Sequence, residues 1–203
     1  MFNLEKMIVN TDNIFDIPTV FPFTRFEDVP PQWVCFSDLD RFNGIYADYG
    51  LHFFTSDRDF ECIWKSPDRY IPLLRRFGAV VMPDFSIYYD IPLALQIYNK
   101  YRSHWLAQYF SYNGVKVIPN ISLNVPQNDY ILGSGYPRRS IVAVSSVGSV
   151  RSTEETDIFF NSVFRISDLL DPLEILHFYS AKTSLFLYDQ VTNIPIKGGG
   201  YRG

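Results

Sequence analysis

Three short apolar runs, each followed within two positions by a polar residue, constrain the fold of this 203-residue chain more than any other feature. They cover residues 79–82, 115–118 and 141–144, and segments of other character separate them. A short run that is apolar throughout, or apolar except for Lys116 in the second case, predicts a strand buried on both faces of a parallel sheet. We therefore expect the three runs to be adjacent, parallel interior strands.

Helical patterns lie between and beyond these runs. Ser66 and Pro67 predict the start of one helix, because Ser is favoured at the N-cap and Pro at the first helical position. A long helix is predicted near 91–112 from apolar and aromatic residues three and four positions apart. Ser152, followed three residues later by Glu155, forms a capping box that opens a third helix. Further strands are predicted at 45–54 (interrupted or bulged near Gly50), 174–179 and 184–188.

The resulting order predicts an α/β protein with a mainly parallel sheet and flanking helices. An open doubly wound sheet is the first choice, and an irregular barrel is the second because about 200 residues is the lower edge for eight β/α units. Residues 1–43, which prolines interrupt repeatedly, are predicted to be an irregular arm packed on the core. Residues 44–196 then form a single α/β domain, and 197–203 form a flexible tail.

Aromatic residues make up 17% of the chain, an unusually large share. A core packed with rings is the first explanation, because aromatic side chains carry large buried areas. An exposed aromatic surface for a partner is the second. Five rings fall on one side of the long predicted helix, and we expect this side to pack against the sheet: Tyr98, Tyr101, Trp105, Tyr109 and Tyr112.

Three motifs in the middle of the chain occur together. They are P-D-F-S at 83–86, Y-N-K-Y-R at 98–102 and G-V-K-V-I-P-N at 114–120. In this combination the chain resembles an uncharacterised domain family of bacteriophages, mobile elements and bacteria, with departures from the family pattern at Leu123 and Ser180. The family carries no assigned activity, so the resemblance implies membership and no mechanism.

Polar residues follow the predicted strands and define the candidate site, because ligands of parallel α/β proteins bind beyond the carboxyl ends of strands. Asp84 is the candidate catalytic group, since a carboxyl group can transfer a proton or bind a divalent metal. Ser86 and Asn120 would orient a ligand through hydrogen bonds. The alternative for each residue is ordinary turn or cap chemistry, and for Arg102 it is an ion pair. The remaining candidate ligand-binding residues are Ser145, Arg102 and Asp48.

Several functional classes lack their sequence signals. The chain has no P-loop, no dinucleotide-binding fingerprint and no nucleophile elbow. Its three histidines and two cysteines show no metal-ligand spacing, and no particular cofactor is indicated. The net charge of −4 argues against a broad nucleic-acid surface. No apolar run approaches the roughly 20 residues that cross a membrane.

Two functional hypotheses remain. The one favoured slightly is a phage-type accessory protein in the host cytoplasm that binds a host or phage protein, for example as an inhibitor of host defence or replication. The alternative is an enzyme that acts on a nucleotide or nucleic-acid component at a strand-end site centred on Asp84. A deep site joining Asp84, Asn120 and Ser145 would favour the enzyme, and a flat aromatic patch would favour binding. The oligomeric state stays open.

Overall fold

The computed structural model describes residues 10–88, 91–123, 133–148, 150, 152–179 and 190–196. The first sheet in these ranges contains β1 (Gln32–Cys35), β2 (Tyr49–His52), β3 (Ala79–Val81) and β4 (Val117–Ile118). The second contains β5 (Ile141–Ser145), β6 (Glu174–Tyr179) and β7 (Val191–Pro195). The helices are α1 (Asp57–Lys65), α2 (Pro67–Leu74), α3 (Leu93–Tyr112) and α4 (Thr153–Leu170). Within the same ranges, no helix has the length and apolar character that crossing a membrane requires.

Every pairing between these strands is parallel, and the strands of each sheet follow one another in chain order. A single parallel bridge between Asn120 and Ala143 connects the two sheets. The α/β class, with parallel sheets and flanking helices, is confirmed. Because the order never reverses within a sheet, neither sheet has the switch point at which doubly wound sheets bind ligands. In the part of the chain that the structure describes, the strands do not close into a barrel.

The three apolar runs are confirmed as neighbouring, buried parallel strands. Their side chains alternate between two apolar cores. Val80 and Val142 belong to the larger core, which helix residues share. Val81 and Ala143 belong to a second core, whose described members come from strands and loops. The runs 79–82 and 141–144 are continuously apolar because each face of the sheet is covered by its own core. In the run 115–118, Lys116 is exposed and precedes β4.

The N-terminal segment is not uniformly irregular, in contrast to the prediction for residues 1–43. Residues 32–35 form β1, which extends the first sheet at its edge. The Trp33 ring reaches across the second core to Phe178 of β6, with ring centroids 4.9 Å apart. Gly50 lies opposite Trp33 as a regular member of β2, and a Cβ atom there would overlap the indole ring. Glycine at this position therefore allows the Trp33 ring to pack closely against β2, and the strand is not bulged there.

Two further elements differ from expectation. Helix α1 covers residues for which the sequence analysis predicts no helix, although Phe60, Ile63 and Trp64 are buried at helical spacing. The short apolar stripe is interrupted by charged residues, which made the period hard to recognise. The predicted strand at 184–188 lies outside the described residues, whereas Val191 begins β7.

The aromatic side of α3 is only partly buried. Trp105 is 1% exposed and contacts Trp64 of α1 edge-on, with ring centroids 5.5 Å apart. Tyr109 stacks on Trp105 and donates a hydrogen bond to Asp68 of α2. Tyr98, Tyr101 and Tyr109 are half-buried, so of the four rings expected to be largely buried only Trp105 is fully enclosed. Tyr112, at the end of the stripe, is 57% exposed. The described contacts of the ring stripe are with α1 and α2, where packing against the sheet was expected.

A second side of α3 carries polar residues that are buried under the N-terminal segment. His104 Nδ1 lies 3.0 Å from the carbonyl oxygen of Pro18, and Gln108 donates a 2.9 Å hydrogen bond to that of Thr19. Burial holds the pKa of His104 well below its ordinary value. The long helix is thus enclosed both by rings and by backbone carbonyls of the arm.

Replacing Trp105 with Ala should destabilise the fold by about 3–5 kcal/mol, the usual cost of emptying a buried ring site. Chemical denaturation of the wild type and the variant measures the difference. Leu95→Ala, at a half-exposed position on the same helix, is the control and should stay within about 0.5 kcal/mol. Equal stability of the Trp105 variant and the wild type would contradict the packing described here.

Candidate active site

Asp84 lies just beyond β3, at the carboxyl edge of the first sheet. Its Oδ1 atom accepts two hydrogen bonds of 2.8 Å, one from Asn120 Nδ2 and one from Ser122 Oγ. Both donors follow β4, the neighbouring strand. The structure therefore brings together Asp84 and Asn120, as the strand-end argument anticipates, and adds Ser122. The described hydrogen bonds of Asp84 come from side chains in the segment that follows the neighbouring strand, so this residue is not a simple cap of its own loop.

The environment of Asp84 changes its acidity. Burial disfavours the ionised carboxylate and raises its pKa to about 6, and the negative charge of Asp57 acts in the same direction. The hydrogen bonds from Ser122 and Asn120 favour the charged form and oppose the shift. A carboxyl group with a pKa near 6 exchanges protons readily near neutral pH, which suits general acid–base catalysis.

Asp57, at the start of α1, is the second carboxyl group of this region. Its two oxygens accept hydrogen bonds of 3.1 and 3.2 Å from the backbone N–H of Ser86, and Oδ1 accepts one of 2.8 Å from Ser86 Oγ. Burial raises the pKa of Asp57, while these bonds and the charge of Arg102 lower it. Ser86 thus joins the region through Asp57 and not, as expected, through Asp84.

Asp57 is not among the residues predicted for the site, because no helix is predicted over the residues of α1. A signal was present, since Ser56 precedes a first turn that contains Asp57 and Asp59, and acidic residues are favoured at helix starts. Asp57 lies 27 positions before Asp84, so no local spacing links the two. Only the tertiary fold places the first turn of α1 against the loop after β3.

Arg102 forms an ion pair, which is the structural alternative to ligand binding given above for this residue. Its Nη1 atom forms a 2.9 Å ion pair with Glu61 of α1, and its Nη2 atom donates a 2.8 Å hydrogen bond to Asn99. The guanidinium group lies 3.7 Å above the centre of the Phe85 ring. Asn99 in turn donates to the carbonyl oxygen of Ser86 at 2.6 Å. Arg102 therefore fastens the loop after β3 to α1 and α3.

Asn120 is held from several directions. Its backbone bridges to Ala143, and its carbonyl oxygen accepts a 2.8 Å hydrogen bond from the Tyr136 hydroxyl. Burial raises the pKa of Tyr136, and the charge of Asp84 adds to this shift. The Nζ atom of Lys100 lies 4.1 Å from the centre of the Tyr136 ring. The backbone contacts of Asn120 therefore hold in position the side-chain amide that donates to Asp84.

Two residues predicted for the site make no described hydrogen bond to Asp84. Asp48 is exposed and lies at the amino end of β2, whereas Asp84 lies beyond the carboxyl end of the parallel neighbour β3. Ser145 Oγ accepts a 3.1 Å hydrogen bond from the backbone N–H of Val147, which makes it a turn residue of the second sheet. Among the residues that the structure describes, no group of three or more His, Cys, Asp or Glu side chains is placed to hold a metal ion.

Comparison with known proteins gives two kinds of match. A family model described as a domain of unknown function, DUF4417, matches residues 9–193. The Gene 1 protein of Mycobacterium phage L5 is 31% identical over 173 residues, which cover 84% of this chain and 74% of that protein. The Gene 1 protein of Mycobacterium phage D29 is 32% identical over 168 residues, which cover 82% of this chain and 60% of that protein. No solved structure matches the chain.

The carboxyl group of Asp84 should titrate with a midpoint of about 6, measured by NMR from its carboxyl ¹³C shift. Ser122→Ala removes a hydrogen bond to the ionised form and should raise this midpoint further. The pKa of Asp84 is higher in the folded protein than in the unfolded chain, where it is about 3.9. Protonated Asp84 therefore adds to the free energy of unfolding in full below about pH 3.9, and this contribution is lost as the pH rises through about 6. Asp84→Asn should lack this pH dependence, and a midpoint near 4 in the wild type would contradict the description.

Proposed function

This chain belongs to the DUF4417 family and is a phage-associated protein, and on that premise we propose that it is an enzyme acting on a nucleotide or nucleic-acid component at Asp84. One observation carries the proposal: a carboxyl group whose pKa is raised to about 6 lies at the carboxyl edge of a parallel sheet. Asn120 and Ser122 hold that group in place from the neighbouring strand.

The two carboxyl groups suit different roles. Asn120 and Ser122 occupy Asp84 Oδ1, so Oδ2 is the atom that would give a proton to the substrate or take one from it. Asp57 lies within electrostatic range of Asp84; burial raises the pKa of Asp57, but the hydrogen bonds from Ser86 and the charge of Arg102 favour its ionised form. Carboxyl groups in unequal environments commonly divide into an acid–base group and an ionised partner. Asp57 would then stabilise positive charge that develops on the substrate.

The chemical character of this edge supports the substrate class. Carboxylate oxygens of Asp84 and Asp57 accept hydrogen bonds, and the N–H groups of bases and the hydroxyl groups of sugars donate them. The net charge of −4 disfavours the long phosphate backbone of a nucleic acid, whose binding requires many cations. A nucleoside-sized component therefore fits this region better than a polymer.

The proposal is tested by incubating the protein with a panel of nucleosides and nucleotides and following their conversion by liquid chromatography. Asp84→Asn should reduce the rate of any conversion by at least about 100-fold, as expected for a lost proton-transfer group. The wild-type rate should change with a pKa near 6. Asp48→Asn is the matched control, because it removes an exposed carboxylate at the opposite end of a strand.

The enzyme proposal would be overturned by a conversion that proceeds equally fast in folded Asp84→Asn protein. It would also be overturned if no member of the panel is converted and none shifts the NMR signals of Asp84 or Asn120. Thermal unfolding of each variant shows whether it is folded before rates are compared.

Binding to a host macromolecule is the second candidate, supported by one surface feature. Phe21 and Tyr112 are 37% and 57% exposed, and their rings meet edge to face with centroids 5.1 Å apart. Exposed aromatic side chains are enriched at protein interfaces. Most of the large aromatic residues in the described ranges are nevertheless buried or half-buried, which weakens the argument from aromatic content. Such binding would take place in the host cytoplasm.

Capture experiments with a bacterial lysate test this second candidate. The double variant Phe21→Ser with Tyr112→Ser should lose at least about 10-fold of any specific capture, because exposed rings at the centre of an interface contribute most of its energy. Ile45→Ser, at a 70% exposed position, serves as the control and should retain capture. Equal capture by the double variant and the wild type would contradict a role for this ring pair.

A further inference from the structure

The second sheet carries a line of three hydrogen-bonded polar side chains that the Asp84 site does not use. His177 of β6 lies at its centre. Its Nε2 atom is 3.0 Å from Ser146 Oγ, just beyond β5, and its Nδ1 atom is 2.9 Å from Asn193 Oδ1 on β7. The parallel register explains this geometry, because Asn193 pairs directly with His177 and Ser146 bonds through its backbone to Phe178.

The contacts fix the protonation of the imidazole. Asn193 Oδ1 accepts a hydrogen bond, so Nδ1 of His177 carries the proton. Nε2 is then an acceptor, and the Ser146 hydroxyl donates to it. Burial lowers the pKa of His177 from its ordinary value, which keeps the ring neutral near pH 7. A neutral imidazole that accepts from a serine hydroxyl is the arrangement of an activated nucleophile.

We propose that Ser146 is a nucleophile, that His177 is its general base and that Asn193 orients the imidazole, forming a second reactive site on this protein. Asp84 follows a strand of the first sheet, whereas these three residues lie on or just beyond strands of the second. Ser146 Oγ would bond to the acyl carbon of an ester while its proton passes to His177 Nε2. The alcohol would leave with that proton, and water would then release the acid and regenerate Ser146.

The surroundings favour a small, apolar acyl group. The rings of Phe159 and Tyr179 both lie 5.7 Å from the imidazole, measured between centroids, and Tyr179 is stacked on it. Ser146 is 6% exposed and His177 is fully buried, so the hydroxyl admits only a compact reactant. An ester or thioester of a short apolar carboxylic acid matches these conditions.

Phenylmethanesulfonyl fluoride, a small electrophile, tests the nucleophile directly. Ser146 Oγ should form a bond to sulfur and displace fluoride, and mass spectrometry of digested protein should locate the added group on the peptide that contains Ser146. His177→Gln should slow the labelling by at least about 100-fold, because the base is lost while a hydrogen-bonding side chain remains. The labelling rate should rise with pH to a plateau, with a midpoint below about 6.5.

Two further variants separate this mechanism from a merely structural role. Asn193→Asp keeps the bond to Nδ1 and adds a negative charge, so labelling should persist with its pH midpoint raised. Ser167→Ala, in which a helix serine is removed, should label like the wild type. Absence of label on Ser146 in the folded wild type, or an unchanged rate in folded His177→Gln, would overturn the proposal. Neither result depends on the chemistry at Asp84.

Discussion

The bridge between Asn120 and Ala143 is the contact on which the rest of this structure depends. Ala143 donates a 2.7 Å hydrogen bond to the carbonyl oxygen of Pro119, and it accepts one of 2.9 Å from Ile121. These bonds continue the parallel pairing from the first sheet into the second across a strand of two residues, β4. The same residue that makes the bridge, Asn120, also donates its side-chain amide to Asp84. Asn120 therefore both joins the two sheets through its backbone and positions the candidate catalytic group through its side chain.

Parallel pairing in chain order has a chemical consequence. Each strand delivers the residue after its carboxyl end to the same edge, so side chains far apart in sequence become neighbours. Asp84, Asn120 and Ser122 meet at this edge in the first sheet. Ser146, His177 and Asn193 meet through the register of the second. Burial raises the pKa of Asp84 and lowers that of His177, so in both cases it favours the neutral form.

The helices also supply charged side chains that surround the loop after β3. Helix α1 supplies both Asp57, which adds negative charge near Asp84, and Glu61, which pairs with Arg102 of α3. The loop after β3 is consequently held by two contacts: Ser86 donates a hydrogen bond to Asp57, and the Phe85 ring packs against the guanidinium group of Arg102. This attachment limits the movement of Asp84 relative to its two donors, which a proton-transfer group requires.

The sequence by itself determined the α/β class, the three buried strands and the pairing of Asp84 with Asn120. Each follows from a local pattern, because an apolar run specifies burial and a parallel sheet brings strand ends together. Tertiary structure alone decided that Asp57 belongs beside Asp84, that Ser86 bonds to Asp57, and that Ser146 bonds to His177. It also decided that Asp48 lies at the opposite end of its strand. These outcomes depend on where α1 packs and on the register between strands, which arise from contacts between segments many residues apart and leave no periodic signal in the chain.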